Sequence, residues 1–296
     1  MVHNMLKIVR KSNEKTVLNY FNERPLPNSP WNFEPDQKAK AVVQLVHGFG
    51  EYTGHYLYLI NELVNAGFVC LMHDQRGHGV LAAANPKLQG RARAYESLIS
   101  DVLEVRKIIG KKYPKLPVYL FGHSMGGNIS LNVLLRNIEN QKLYQKAVIE
   151  SPWLALTNPP AVPLQRLAGF LGKISPKIRV RTGLKVEAIS HRNDLVDLVT
   201  KDGIYHELLS LRLFSQIMEA GRFAQSQAGN LKIPTLLFCG ESDQICSPVA
   251  IRSFANNAGK NLELIEIADG YHALHLDTEA ENFIERTKDF FLKENF

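Results

Sequence analysis

The chain has 296 residues, of which 45% are hydrophobic and 22% charged, and its formal net charge is +6. This composition is that of an ordinary globular protein, and it excludes an intrinsically disordered or fibrous chain. The excess of basic residues is not accompanied by an arginine-rich run with interleaved aromatic residues, so we expect no nucleic-acid partner.

The cysteines and the apolar stretches bear on where the protein acts. Cys70, Cys239 and Cys246 form an odd set without metal-ligand spacing, which favours reduced thiols in an intracellular setting. Met1–Lys15 lacks the apolar core of a signal peptide, and no run approaches the roughly 20 apolar residues of a membrane span. We therefore expect a cytoplasmic protein, for which any membrane contact would be peripheral.

The first part of the chain predicts a hairpin, a loop and then a βαβ unit. Leu6–Val9 and Thr16–Phe21 flank a polar turn as in a hairpin, and Pro25–Pro35 is punctuated by proline as in a loop. The apolar runs 41–46 and 68–72 are typical of strands covered on both faces, and the residues between them have helical spacing over 56–66.

The same alternation continues towards the carboxyl terminus. Further elements are predicted as helices over 94–112 and from Met125, and as strands over 117–121, 147–149, 235–239 and 262–267. Alternating strands and helices build a mostly parallel sheet with helices on both faces. The predicted fold class is therefore α/β.

One interval breaks this alternation. Residues 151–229 separate two neighbouring strands by far more than one helix and its loops. We interpret this stretch as an inserted helical cap, called the cap segment below. It divides the core into a first part, residues 1–150, and a second part, residues 230–296.

The cap segment begins with an apolar stripe. Pro160–Ile174 includes Leu167 and Phe170 among its apolar residues and is followed by several basic residues. Such a helix either contacts a lipid surface or simply packs on the domain beneath it.

A Gly-x-Ser-x-Gly motif identifies the candidate nucleophile. Gly122, His123, Ser124, Met125 and Gly126 directly follow the apolar strand VYLF and precede the helical run NISLNVLLR. A sharp strand-to-helix turn at this position lifts a serine hydroxyl out of the sheet, and the glycines leave room for it. The alternative is a glycine-rich structural turn with an incidental serine.

A serine nucleophile requires a base and a group that orients the base. Asp243 ends the segment Gly240–Asp243, which immediately follows the strand TLLFC, and His272 ends the segment Asp269–His272, which comes just after the strand LELIEI. The carboxyl ends of parallel strands lie at one edge of a sheet, where such folds place their sites. We therefore predict a Ser124–His272–Asp243 triad, in the chain order of α/β-hydrolases.

Other residues compete for these roles. His275 lies three residues beyond His272, and the carboxylates of Asp269 and Asp277 lie in the same region. We favour His272 because His275 is expected at the entry to the final helix, pointing away from the strand end. Asp243 is favoured over the other carboxylates for its position after a strand.

The remaining requirement is an oxyanion hole, which backbone amides can provide. His47–Gly50 follows the predicted strand AVVQLV at the place where α/β-hydrolases form this hole. We assign the donors to the amides of Phe49 and Met125. This chemistry requires neither a metal nor an organic cofactor.

Five motifs in order, HGFGEYTGHY, HDQRGHG, GHSMGG, GESDQICSP and GYHALH, resemble the monoacylglycerol lipase and lysophospholipase branch of the α/β-hydrolases. The resemblance spans about residues 40 to 290. It implies hydrolysis of a glycerol or glycerophospho ester of one fatty acyl chain, with the cap segment forming an apolar acyl tunnel. It also implies that Glu51 shapes the alcohol pocket and that Cys246 places a thiol near it.

The chain departs from this pattern at two positions. His55 stands where the monoacylglycerol lipases usually have arginine, which bears on recognition of the glycerol head group. Val80 stands where the family commonly has serine, and we interpret it as a structural change in a loop.

The expected function is therefore that of a serine esterase, a monoacylglycerol lipase or lysophospholipase, which cleaves a single fatty acyl ester through an acyl-enzyme on Ser124. Within catalysis, the alternatives are a carboxylesterase for short-chain or aromatic-acid esters and an acyltransferase. An alternative of another class is a ligand-binding protein that keeps the pocket without turnover. Tentative substrate contacts are Glu51, His55, Cys246, Leu167 and Phe170.

Overall fold

A computed structural model describes residues 30–293. Within these residues, seven strands form one sheet in the order β1-β3-β2-β4-β5-β8-β9, in which only β1 runs antiparallel to its neighbour. Strands β6 and β7 form a separate antiparallel pair. The strands are β1 (Trp31–Phe33), β2 (Ala41–Val46), β3 (Phe68–Met72), β4 (Val118–His123), β5 (Lys146–Glu150), β6 (Arg179–Arg181), β7 (Leu208–Ser210), β8 (Thr235–Gly240) and β9 (Leu262–Ile267).

The connections between these strands are mostly helical. The α-helices are α1 (Leu57–Asn65), α2 (Gly79–Ala84), α3 (Tyr95–Lys112), α4 (Met125–Arg136), α5 (Val162–Ile174), α6 (Asn193–Thr200), α7 (Leu211–Ser226), α8 (Pro248–Ala258) and α9 (Ala280–Leu292).

The two faces of the sheet bury separate apolar cores. Along β2, Val42 and Val46 pack with residues of α3, α4, α7 and α8, whereas Val43 and Leu45 pack with residues of α1 and α9. This division follows from the alternation of side chains along a strand. All six residues of β2 are buried, because helices cover both of its faces.

The predicted α/β fold is confirmed, and the predicted strands agree with the structure to within two residues at each end. One element differs, because the loop expected over 25–35 contains the strand Trp31–Phe33, which pairs with β3 at the sheet edge. Proline at positions 30 and 35 is compatible with so short an edge strand. The predicted hairpin over residues 6–21 lies outside the described residues.

The cap segment carries α5, β6, α6, β7 and α7. Helix α5 lies very close to α7, since a Cβ added at Gly172 would be 2.6 Å from the backbone nitrogen of Arg212. The opposite face of α5 is exposed to solvent. Across residues 30–293, no helix is both long enough and apolar enough to cross a membrane.

Candidate active site

Ser124 occupies the turn between β4 and α4 with a backbone conformation that is rare outside glycine, at φ 53° and ψ −118°. Backbone hydrogen bonds hold this conformation: Ser124 N donates to Glu150 O at 3.0 Å, and Ser124 O accepts from Trp153 N at 2.9 Å. Strained residues of this kind cost about 1–3 kcal/mol and concentrate at functional sites. The surrounding structure therefore fixes where the Ser124 side chain points.

Two glycines make this turn sterically possible. A Cβ added at Gly122 would lie 2.4 Å from the Ser130 hydroxyl, and one added at Gly126 would lie 2.1 Å from the carbonyl oxygen of Val46. Both separations are far below contact distance, so α4 can approach β4 and β2 this closely only without side chains at Gly122 and Gly126.

The structure brings Ser124, His272 and Asp243 together from three separate strand ends. His272 Nε2 lies 2.9 Å from Ser124 Oγ, and His272 Nδ1 lies 2.8 Å from an oxygen of the Asp243 carboxylate. All three residues are buried, with Ser124 5% exposed. This is the geometry in which a neutral imidazole can accept the serine proton while the carboxylate fixes its tautomer.

The electrostatics of His272 fit the role of a base. Burial alone would lower the pKa of its imidazole, but the carboxylate of Asp243, with smaller effects from Glu51 and Glu150, outweighs burial and raises that pKa above its ordinary value. A raised pKa increases the proton affinity of the group that must accept the serine proton.

The loop that follows β8 holds the Asp243 carboxylate. Its other oxygen accepts hydrogen bonds from the backbone nitrogens of Ile245 and Cys246, at 2.7 and 2.9 Å. The Cys246 thiol is fully buried, interacts with the Ser124 side chain, and has its pKa raised well above its ordinary value, chiefly by burial. Cys246 therefore lies beside the nucleophile as a neutral thiol.

The loop after β2 lies directly against the nucleophile. A Cβ added at Gly48 would be 3.1 Å from the Cβ of Ser124, and Phe49 follows Gly48 in this loop. On the other side, Met125 is the first residue of α4. The backbones of Phe49 and Met125, the two sequence-predicted oxyanion donors, therefore belong to the two segments next to Ser124.

Glu51 holds this loop in place. Its carboxylate accepts a hydrogen bond from Gly48 N at 2.7 Å and another from the Tyr56 hydroxyl. Burial alone would raise the pKa of Glu51, but the nearby histidines, His123 and His275 foremost, outweigh it and lower that pKa, so the carboxyl is ionised. Glu51, which the resemblance associates with the alcohol pocket, thus supports the loop that carries Phe49.

A second histidine–carboxylate pair lies behind the triad, and the sequence did not predict it. His275 Nδ1 lies 2.9 Å from the fully buried Glu150 carboxylate, and His123 Nδ1 lies 3.3 Å from the same group. His275 belongs to a short 3-10 turn at Leu274–Leu276, ahead of the final helix rather than at its entry. The only sequence signal for the pair was a glutamate at the end of the apolar strand KAVIE.

Together with His123, this pair has the residue types of a metal-binding site. The ligand-type atoms of His123, Glu150 and His275 all lie within 4.8 Å of one another. Their contacts have the lengths of hydrogen bonds and ion pairs, and nothing in the triad chemistry requires an ion there. The pair is therefore interpreted as a buried electrostatic support.

The competing carboxylates lie elsewhere. Asp277 accepts hydrogen bonds from Tyr271 N at 2.9 Å and from His191 N at 2.9 Å, so it holds the loop before His272 against the cap segment. Asp269 is exposed at the end of β9. Neither is the carboxylate that contacts His272 Nδ1.

Of the remaining tentative contacts, His55 is buried, whereas Leu167 and Phe170 are exposed. His55 is buried and its Nε2 lies 3.0 Å from the Asp202 carboxylate of the cap segment, so an ion-pair or hydrogen-bond partner already occupies it. Leu167 and Phe170 lie on the outer face of α5, 51% and 60% exposed. In this conformation they contact solvent rather than an enclosed acyl tunnel.

The fold, with these residues at the carboxyl ends of β4, β8 and β9, defines a serine hydrolase of the α/β-hydrolase class. The family described as serine aminopeptidase, S33, matches residues 37–279 of the chain, and the chain belongs to that family. The predicted α/β-hydrolase superfamily is thereby confirmed, and the predicted enzyme class, a serine hydrolase acting on carboxylic esters, is confirmed by this match taken together with the lipase relatives.

Individual relatives match most of the chain. It is 28% identical over 250 residues to the monoglyceride lipase homolog of Monkeypox virus, and this alignment covers 83% of this chain and 87% of the viral protein. It is 26% identical over 263 residues to phospholipase YtpA of Bacillus subtilis, in an alignment that covers 88% of this chain and 98% of the phospholipase. The crystal structure of the Paleococcus ferrophilus monoacylglycerol lipase superposes with a TM-score of 0.78 at 25% sequence identity, and the superposition covers 88% of this chain and 98% of the lipase.

Proposed function

We propose that the protein hydrolyses esters of a single long fatty acyl chain, a monoacylglycerol or a lysophospholipid, through an acyl-enzyme on Ser124. The observation that carries this proposal is the pair of contacts on the His272 ring, 2.9 Å to Ser124 Oγ and 2.8 Å to Asp243. Ser124, His272 and Asp243 act as nucleophile, base and orienting acid.

Acylation begins when Ser124 Oγ attacks the ester carbonyl carbon while His272 Nε2 takes the hydroxyl proton. Negative charge develops on the carbonyl oxygen, and the amides of Phe49 and Met125 donate hydrogen bonds to it. The tetrahedral intermediate then collapses, the bond to the alcohol oxygen breaks, and His272 returns the proton to the leaving alcohol.

Deacylation uses the same residues with water in place of serine. His272 removes a proton from water, the hydroxide attacks the acyl carbon, and the fatty acid leaves as Ser124 recovers its proton. Throughout both steps Asp243 keeps the proton of His272 on Nδ1, since it accepts the hydrogen bond from that atom.

The substrate class rests on the relatives. Their names associate homologous chains with monoglycerides and with phospholipids, and the match extends over at least 83% of this chain, cap segment included. The two candidate substrates share one acyl ester and differ in the head group. We propose the cap segment, residues 151–229, as the part that receives the acyl chain.

A chain-length series tests the substrate class. Glyceryl monoesters and lysophosphatidylcholines with acyl chains of 4 to 18 carbons are compared by kcat/KM with nitrophenyl and feruloyl esters. We expect kcat/KM to rise with chain length, because each methylene buried in an apolar site contributes up to about 0.8 kcal/mol. A preference for butyrate or for aromatic acids would instead indicate a carboxylesterase, and ester synthesis with added alcohol an acyltransferase.

Peripheral contact with a lipid surface forms the second part of the proposal. Four large apolar side chains of α5 share its outer face and are more than half exposed: Leu164, Leu167, Phe170 and Ile174. Arg166 and Lys173 lie beside this face and line a groove of about 450 Å³ between α5 and α7. An exposed apolar face with basic residues at its edge is the pattern of helices that lie in a membrane interface.

Vesicle co-sedimentation tests this contact. The Leu167→Ser/Phe170→Ser double variant is expected to lose binding to vesicles of phosphatidylcholine with phosphatidylglycerol, while the control Val249→Ser, which changes a 72% exposed valine on α8, retains it. Equal sedimentation of the double variant and the unmodified protein would remove the proposed contact without affecting the proposed esterase activity. A cytoplasmic location remains part of this proposal.

A further inference from the structure

The cap segment contacts the loop after β2 through a buried histidine, His206, which is 6% exposed. The centroid of its ring lies 5.8 Å from that of Phe49, with the ring planes 81° apart, and 4.9 Å from that of His78. Phe49 and His78 are themselves 5.7 Å apart, at 88°. The three rings therefore form a closed cluster in which each contacts the other two.

Hydrogen bonding fixes the His206 ring. Its Nε2 donates to the carbonyl oxygen of Gly77 at 2.8 Å, so the proton of the neutral ring is on Nε2. Burial is the main cause that lowers the pKa of His206 below its ordinary value. The ring is therefore neutral at physiological pH and acts through its shape and its hydrogen bonding.

The backbones of the two segments are also in close contact. A Cβ added at Gly50 would lie 2.6 Å from the carbonyl oxygen of His206, and Gly50 has a φ of +78°. Phe49 stands between Gly48 and Gly50, and glycine imposes little conformational restriction on its neighbours. The loop at Phe49 is therefore held by side chains other than its glycines, by Glu51 within the loop and by His206 of the cap segment.

We infer that His206 is a positioning residue, which holds Phe49 and thereby the amide that donates to the oxyanion. The inference rests on the proposed function. Oxyanion donors act over 2.7–3.1 Å, and a displacement of about 1 Å can cost on the order of 100-fold in rate. The cap segment thus contributes to transition-state stabilisation as well as to substrate binding.

Three variants test this role with a monoacylglycerol substrate. His206→Ala is expected to lower kcat by about 10- to 100-fold with little change in KM, because the lost interaction acts on the transition state. His206→Phe keeps the ring contact with Phe49 and is expected to recover most of that loss. His206→Leu fills the space without an aromatic ring and replaces the alanine variant should that variant fail to fold.

Affinity for an alkyl trifluoromethyl ketone provides a second readout, since its tetrahedral adduct with serine places an oxyanion in the same hole. The affinity is expected to fall in His206→Ala by the same factor as kcat/KM. The matched control is Val105→Ala, a buried position on α3 outside the cap segment, which is expected to lower Tm without changing this affinity.

The outcomes separate the two proposals. If the unmodified protein hydrolyses the ester and His206→Ala, or His206→Leu in its place, keeps kcat and ketone affinity unchanged, the positioning role is overturned and the proposed function stands. If the unmodified protein neither hydrolyses lipid esters nor binds the ketone, both are overturned.

Discussion

The Asp243 carboxylate and the imidazole of His272 meet at 2.8 Å, on the edge of the ring opposite the one that faces Ser124. Because a carboxylate only accepts hydrogen bonds, Nδ1 carries the proton and Nε2 keeps a lone pair directed at the serine hydroxyl. A single contact therefore sets both the tautomer and the orientation of the base.

Replacing Asp243 with asparagine tests this relationship. The amide can donate to Nδ1, which favours the tautomer with the proton on Nε2 and removes the acceptor for the serine proton. We expect kcat to fall by about 10⁴-fold with the fold preserved, the size of loss known for this change in another triad. Steady-state kinetics with a circular-dichroism melt checks it, and a loss below tenfold would contradict the assigned role of Asp243.

The pH dependence of kcat/KM reports the protonation of His272. The base works only when neutral, so activity is lost as pH falls through the pKa of His272, which is raised above 6.5. We expect kcat/KM to decrease at acidic pH with an apparent pKa above that value. In any active Asp243→Asn enzyme, the decrease is expected at lower pH, because the carboxylate that raises the pKa of His272 is absent. Profiles from pH 5 to 9 measure both; an unmodified enzyme whose decrease has an apparent pKa below 6.5 would disagree with this electrostatic arrangement.

Glu51 is predicted to act through the loop it supports. In Glu51→Ala the amide of Gly48 loses its carboxylate acceptor, and hydrogen bonds to charged groups contribute about 1.5–3 kcal/mol. We expect kcat to fall by about 10- to 100-fold, and Glu51→Gln, which retains an acceptor oxygen, to lose less. If both variants instead raise KM and leave kcat unchanged, Glu51 belongs to the alcohol pocket rather than to the loop.

The packing of the serine turn predicts a stability effect at Gly126. Alanine there would bring its Cβ to 2.1 Å from the Val46 carbonyl oxygen, whereas alanine at Gly229 meets nothing nearer than 3.4 Å. We expect Gly126→Ala to lower the free energy of unfolding by about 1–3 kcal/mol or more, and Gly229→Ala to change it by less than about 0.5. Urea titrations compare them, and equal stability of the two variants would show that the turn can relax.

Much of the site could be predicted because each of its members follows an apolar strand. Ser124, Asp243 and His272 stand directly after the runs VYLFGH, TLLFCG and LELIEI or within a few residues of them, and parallel strands end at one edge of a sheet. Local pattern and one topological rule thus place three residues that are up to 148 positions apart in the sequence.

What could not be predicted depends on contacts between distant segments. Neither the pairing of Glu150 with His275 nor that of His55 with Asp202 has a local pattern, because each joins segments that are distant in the sequence and meet only in the folded chain. The same holds for His206, whose neighbours Gly77 and Phe49 precede it by more than 120 residues. The strand Trp31–Phe33 was missed for another reason, since three residues between prolines carry too little periodicity.

Covalent capture of Ser124 tests the catalytic assignment most directly. The protein is incubated with an alkyl fluorophosphonate, and intact mass with peptide mapping locates the adduct. We expect one adduct, on Ser124, that requires the native fold and is absent from Ser124→Ala, which also loses ester hydrolysis while melting as a folded protein. An adduct on any other residue, or hydrolysis that survives in Ser124→Ala, would contradict the assignment.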